Sequence, residues 1–232
     1  MTERGSKTSL KLYFHPLSSY CQKALIALYE NDIAFEPHIV DLMDEASAAA
    51  FKAIWPIGKF PVLRDEAKDR TVPESSIIIE YLDEHYPGRT RLVPAEAGLA
   101  RQTRLRDRFF DLYVNEPMAK IVADRLRPEG RNDPHGVEEA RRRLATALAM
   151  ADEEMAERTW AMGEAFTMAD CAAAPALFYA NEVVPFGATH RNAAAYLERL
   201  KERPSYARAL SEARPYWDLF PKGDASRTGT GR

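Results

Sequence analysis

The stretch His15-Pro16-Leu17-Ser18-Ser19-Tyr20-Cys21 gathers an imidazole, hydroxyls and a thiol where an alternating apolar run gives way to a helical pattern. A helix N-terminus offers unpaired backbone N–H groups and the positive end of the helix dipole. Together these stabilise a nearby anion by roughly 0.3 to 2 kcal/mol. The chemistry suited to such a place is the holding of a thiolate, with Ser18 or Ser19 donating a hydrogen bond to it. Either serine can also act as a plain N-cap, a role that serine fills well. Cys21 is the other candidate, since a thiol acidified at a helix terminus supports redox exchange, whereas a buried one is inert.

Two later segments carry groups that fit a peptide-like ligand. In Trp55-Pro56-Ile57-Gly58-Lys59-Phe60-Pro61-Val62-Leu63, Lys59 can meet a carboxylate just ahead of the Phe60-Pro61 step. The same residues also fit an ordinary proline-bounded strand. In Pro73-Glu74-Ser75-Ser76-Ile77-Ile78-Ile79-Glu80-Tyr81-Leu82, Ser75 opens a helix whose first N–H groups suit a carboxylate, and Glu74 can accept from an ammonium. Helix capping by Ser75 and a dipole contact by Glu74 account for these residues equally well.

The elements that must position these groups follow from periodicity. Leu10, Leu12 and Phe14 alternate with polar neighbours and stop at His15-Pro16, which reads as a strand and a turn. Residues 19–31 have helical spacing, 35–40 a strand pattern, 44–54 an alanine-rich helix, 61–64 and 70–73 short strands joined by a turn, and 75–85 a helix stopped by Pro87-Gly88. The order β-α-β-α-β-β-α makes a compact α/β unit over residues 10–88. Turn residues without periodicity occupy 90–98. Only helical patterns follow, over 99–125, 137–158, 168–181, 193–203 and 205–213, so residues 99–222 read as all-α. The Gly, Ser and Thr content of 223–232 reads as a disordered tail.

The first segment, Ser18-Ser19-Tyr20-Cys21-Gln22-Lys23-Ala24-Leu25-Ile26-Ala27-Leu28, resembles the opening of cytosolic glutathione transferases with a serine active site, as in the zeta and theta classes. In that family a hydroxyl after the first strand donates to the glutathione sulfur. Matching Lys23 and the apolar helix to the family's basic residue and helix gives that role to Ser18, with Ser19 as the fallback. The catalytic cysteine of omega-like relatives also falls on Ser18, which weighs against Cys21. The second segment resembles the Pro-x-Gly-x-hydrophobic-Pro signature, whose last proline, here Pro61, is cis in the family, which implies a bend that exposes the Phe60 N–H and C=O to pair with the cysteinyl backbone of glutathione as one more strand. Trp55 departs from the small polar residue usual there. The third resembles the signature in which an acid and a serine, here Glu74 and Ser75, grip the γ-glutamyl end.

The resemblance spans about residues 10–222. It implies an α/β thioredoxin-like N-terminal domain plus an all-α C-terminal domain, glutathione as cosubstrate with no tightly bound cofactor, an electrophilic small molecule as acceptor, and a homodimer. The acceptor would lie between the domains against the long first helix of the second, where Phe110 and Tyr113 are the candidates. Arg101, Arg104, Arg106 and Arg108, with Asp107 and Asp111 interleaved, fit a solvated face or, as the resemblance favours, an intersubunit ion-pair surface. Thr167-Met168-Ala169-Asp170 reads as a structural cap close to a capping box, and Asp170 matches an aspartate of the family's helical core. The same scaffold also carries glutathione-dependent isomerases and peroxidases, and some relatives bind or regulate without catalysis.

Composition fits this picture. A chain of 232 residues with 46% hydrophobic and 29% charged residues can bury a sizeable core, and a net charge of −3 with mixed signs gives no basic field for nucleic acid or anionic lipid. Two cysteines, Cys21 and Cys171, make no disulfide framework and fit a reducing cytoplasm. The polar first residues and the lack of a long apolar run predict neither export nor a membrane span. The five histidines have no i, i+4 pair and predict no metal site.

Overall fold

A computed structural model of the chain describes residues 8–221; the expected tail at 223–232, and residue 222, lie outside the described residues. The N-terminal unit runs β1 (Leu10–Phe14), α1 (Ser19–Glu30), β2 (Glu36–Ile39), α2 (Glu45–Ile54), β3 (Val62–Asp65), β4 (Arg70–Pro73) and α3 (Ser75–His85). Its sheet has the order β2-β1-β3-β4, with β2 parallel to β1 and both later pairings antiparallel. This is the thioredoxin-like arrangement. The alternation of β1 sends Leu10, Leu12 and Phe14 into the core, as a period of two requires.

From Ala97 the chain is helical: α4 (Ala97–Phe109), a π-helical segment (Phe110–Asn115), α5 (Glu116–Arg125), α6 (Pro134–Met155), α7 (Met168–Val183), α8 (Arg191–Glu202), α9 (Pro204–Ala213) and a closing 3-10 turn (Arg214–Leu219). Caps set the starts. Glu96 accepts from the Gly98 and Leu99 N–H groups at 2.6 Å each, so α4 begins earlier than its apolar pattern suggests. Asp133 caps α6 through the Gly136 N–H at 2.9 Å, and Pro134 occupies the first turn, where a missing N–H costs nothing. Thr167 and Asp170 form a true capping box on α7, and Asp170 also accepts from Ala161 N–H and Tyr196 Oη.

The expected single helix over 99–125 is three pieces. Pro117 has no N–H to give to the ladder, and the preceding turn widens to π geometry, which changes the face that later residues present. α1 is the shared wall of the molecule: every residue from Cys21 to Glu30 is buried. It packs on the sheet side through residues such as Leu12 and Leu63, and on the helical side in the same apolar cluster as Leu177 and Ala180. No helix among the described residues is long and apolar enough to cross a membrane.

Candidate functional site

Strand register brings the three sequence segments to one end of the sheet. Tyr13 pairs with Val62, and Val62 pairs with Pro73. The His15–Ser18 turn leaves β1 just past this row, Phe60–Pro61 enters β3 just before it, and Glu74–Ser75 follows β4 just beyond it. The antiparallel pairings therefore converge residues far apart in sequence.

At this end a cavity of about 500 Å³ opens between the two domains. Ser18, Ser19 and Phe60 line one side, and Met118, Val122, Tyr179 and Phe220 line the other. Ser18 is the N-cap of α1 and its Oγ accepts from the Cys21 N–H at 3.4 Å. That bond engages a lone pair of Oγ, and the hydroxyl hydrogen, whose near acceptor within the chain is Cys21 Sγ, can turn to donate to a ligand in the cleft. The structural and functional roles of Ser18 are thus compatible. His15 also lines the cavity; its Nδ1 accepts from the Leu17 N–H at 3.2 Å, and burial pushes its pKa down against the opposing pull of Asp41, so the ring is a neutral one. Cys21 is fully buried, and burial pushes its thiol up to about 12 despite bonds from Ser18 and the His15 backbone. A thiol in that state is no nucleophile at neutral pH.

The Phe60–Pro61 peptide bond is cis. Before it, Gly58 sits at φ +68 in a turn closed by its N–H to the Trp55 carbonyl at 2.9 Å, a conformation that favours glycine. Among the described residues, the Phe60 N–H and C=O take no backbone partner. Glu74, not Ser75, is the N-cap of α3; it stands at φ 70 and its side chain makes no cap bond. Ser75 is the first helical residue and is buried. The first N–H groups of α3 are therefore left without a side-chain cap. Lys59 and Glu74 are exposed and, like Ser75 and Pro61, lie off the cavity wall.

The acceptor candidates are placed elsewhere. Phe110 is 3% exposed and belongs to the core, while Tyr113 is 57% exposed, and neither lines the cavity. The π-helical segment accounts for this, because it turns Met118 and Val122 of α5 toward the cleft instead. Three of the four arginines of the run pair within the chain: Arg104 forks onto Glu80 at 2.9 and 2.7 Å, Arg106 pairs with Glu154, and Arg108 reaches Asp111 at 2.9 Å, while Arg101 is exposed. Asp107 and Asp111 turn inward, each 2.7 Å from Lys23 Nζ, which also donates to Ser76 Oγ at 2.8 Å. Burial pushes Asp111 up against the pull of Lys23. These acids tie α1, α3 and α4 within one chain and are unavailable to an intersubunit surface.

Sequence reasoning passed over Gln22 and the site role of Tyr179. A lone amide inside the apolar run Cys21–Leu28 was the available signal for the first.

A thioredoxin-like domain joined to an all-helical domain, with an N-capping serine and a cis-proline bend facing one interdomain cleft, defines a glutathione-binding class of fold. Residues 12–90 match the N-terminal domain of glutathione S-transferases, and residues 111–204 match their C-terminal domain. Glutathione S-transferase 3 of Zea mays is 30% identical over 209 residues, covering 87% of this chain and 93% of that protein. A stringent starvation protein A homolog of Pasteurella multocida is 28% identical over 218 residues, covering 93% and 97%. The structure of a Methylobacillus flagellatus glutathione S-transferase with GSH bound superposes with a TM-score of 0.79 at 25% identity, covering 87% of this chain and 98% of that one. The chain belongs to the glutathione S-transferase family.

Proposed function

We propose that this chain is a serine-type glutathione transferase, in which Ser18 ionises the glutathione thiol for attack on an uncharged, apolar electrophile. The observation that carries the reading is the position of Ser18: it caps α1 with its oxygen on the wall of the cleft, where its hydroxyl hydrogen can turn from the buried Cys21 sulfur to a ligand. The energies suffice. Lowering a thiol pKa from about 8.5 to about 6.5 takes roughly 2.7 kcal/mol, which one charge-assisted hydrogen bond and a helix dipole together supply. The thiol proton leaves to water, and the Ser18 O–H donates to the sulfur that remains.

Glutathione extends from Ser18 along the sheet end. Its cysteinyl backbone pairs with the free N–H and C=O of Phe60 beside Pro61, with Ser19 close by. Its γ-glutamyl carboxylate meets the uncapped start of α3 at Ser75, its ammonium meets Glu74, and Lys59 faces the glycyl carboxylate. The acceptor fills the apolar remainder of the cavity. Among the described residues no arginine or lysine lines that cavity, and Asp41 does, which favours a neutral acceptor over a carboxylate-bearing one. Glutathione-dependent isomerisation or peroxide reduction is the alternative reaction for the same activated thiol on this fold.

The second reading is a chain that binds glutathione without turning it over. The name of the Pasteurella relative, which speaks of starvation and not of transfer, favours it. Titrating glutathione across pH while following thiolate ultraviolet absorbance separates the two. We expect the bound thiol to ionise about two pH units early and Ser18→Ala to lose that shift; binding with an unmoved thiol pKa supports the carrier reading, and no binding refutes both.

We assign the protein to a reducing cytoplasm, which its two free, buried cysteines fit, and to a homodimer formed through the face of α3, α4 and the π-helical segment that exposes Ile77, Leu105 and Tyr113. A monomer mass in light scattering at micromolar concentration would contradict the dimer.

A further inference from the structure

The polar backbone groups around Ser18 can be accounted for one by one. The His15 carbonyl accepts from the Ser18 N–H at 3.0 Å, and the Ser18 carbonyl accepts from the Gln22 N–H at 2.9 Å. The Leu17 N–H donates to His15 Nδ1, and the His15 N–H donates to Cys21 Sγ at 3.5 Å. Two carbonyls remain, those of Pro16 and Leu17, and both are met by side chains. Gln22 Nε2 donates to the Pro16 carbonyl at 2.9 Å, and Tyr179 Oη donates to the Leu17 carbonyl at 2.7 Å. The two ties are themselves joined, since Gln22 Nε2 also donates to Tyr179 Oη at 3.1 Å.

Both side chains are buried, Gln22 completely and Tyr179 at 2% exposure. Among the described residues Gln22 Oε1 has no hydrogen-bond partner. A buried acceptor left unpaired costs about 1 to 3 kcal/mol, and an apolar residue at this place in α1 would avoid it. Packing therefore does not explain Gln22, whereas its amide hydrogens do, because they hold the Ser18 turn. Tyr179 lies in α7, in the other domain from Ser18. Its ring is stacked against Phe220 and Trp217, with centroids 5.4 and 6.1 Å away, so its position is fixed by the closing segment of the helical domain. The ring also lines the cavity, and burial holds the phenol well above its usual pKa, leaving it a neutral donor.

We propose that Tyr179, working with Gln22, is a positioning residue that fixes the turn bearing Ser18 and so sets how far the cleft ionises the glutathione thiol. This rests on the reading of Ser18 as the donor to that thiol. The physical reason is angular. A hydrogen bond to sulfur weakens steeply once its donor swings out of line, and the carbonyl held by Tyr179 belongs to the peptide that directly precedes Ser18. The helical domain thereby acts on a reaction whose reactive group sits in the other domain, without touching glutathione.

The test compares the thiol pKa of bound glutathione, from thiolate absorbance, in the full-length wild type, Tyr179→Phe, Ser18→Ala and the double variant. Tyr179→Phe should lower the ionisation constant of the bound thiol about three- to tenfold with glutathione affinity little changed, as expected when a reacting group is slightly misplaced. The double variant should match Ser18→Ala alone, because Tyr179 acts through Ser18. A normal thiol pKa in Tyr179→Phe beside a lost shift in Ser18→Ala overturns the positioning role and leaves the Ser18 reading standing. A shift in Tyr179→Phe with none in Ser18→Ala, or effects that add in the double variant, overturns the route through Ser18. If Tyr179→Phe fails to fold, Gln22→Met, which removes the tie to Pro16 and keeps the side-chain length, takes its place with the same expected outcome.

Discussion

Lys23 Nζ lies 2.7 Å from Asp107 Oδ1, with each side chain only 1% exposed. Both groups are withdrawn from bulk solvent, and the pair joins α1 of the first domain to α4 of the second. Removing Lys23 strands two buried carboxylates, at a cost of about 3 to 5 kcal/mol, whereas removing Asp107 leaves Lys23 paired with Asp111 at 2.7 Å and costs less. Lys23→Met should lower the urea midpoint more than Asp107→Ala, and combining Lys23→Met with Asp107→Leu, which leaves Asp111 paired with Arg108, should recover a large part of the loss. A Lys23→Met variant that costs less than about 1 kcal/mol, the range of a surface pair, would show that the contact carries little of the domain seam.

Glu30 gives the seam between α1 and α9 a pH dependence. Burial alone would push its carboxyl up, but bonds from Arg203 at 2.8 Å, Ser205 at 2.8 Å and Thr90 at 3.0 Å outweigh it and hold the pKa below the usual glutamate range. A depressed native pKa means that the folded state binds the proton less readily than the unfolded one. The stability it contributes is then present above the unfolded value of about 4.3 and lost as pH falls through the native value. Wild type and Glu30→Gln should differ in melting temperature at pH 7 and converge as the pH drops below about 4. A gap that stays constant over that range would rule out Glu30 as the titrating group.

Glu74 stands at φ 70, where a side chain is strained. Strain of this kind costs about 1 to 3 kcal/mol and concentrates at functional sites. Glu74→Gly should therefore hold or raise thermal stability while weakening glutathione binding about tenfold, the order expected for one lost charge-assisted bond. Calorimetry of both properties on one sample checks it, and stability falling together with affinity would mean that Glu74 is there for the fold.

Much of the N-terminal unit was legible because strand alternation and turn residues act locally: β4 and α3 begin and end where the pattern of 70–73 and 75–85 put them. The caps at Asp133 and Glu96 were equally local signals, and they moved two helix starts upstream of the apolar periodicity. What could not be read was long-range. Phe110 and Tyr113 looked like cleft residues on an unbroken helix, and one π turn ahead of Pro117 changed the faces. The carboxylates of Asp107 and Asp111 looked like surface charge because their partner, Lys23, lies far back in the chain. The hydroxyl of Tyr179 meets Leu17 only because α7 packs on α1.

The unbroken burial of α1 from Cys21 to Glu30 bears on how the chain can be divided. A segment ending after α3 would carry into water the flank of α1 that the helical half covers, together with the charge of Lys23 and the carboxylate of Glu30, both stripped of their charged partners. The helical half alone would lose the surface on which α7 and α9 close. The boundary drawn between the two domains by topology is therefore no boundary for folding: the two halves share one helix, and they should be gained and lost as a single cooperative unit.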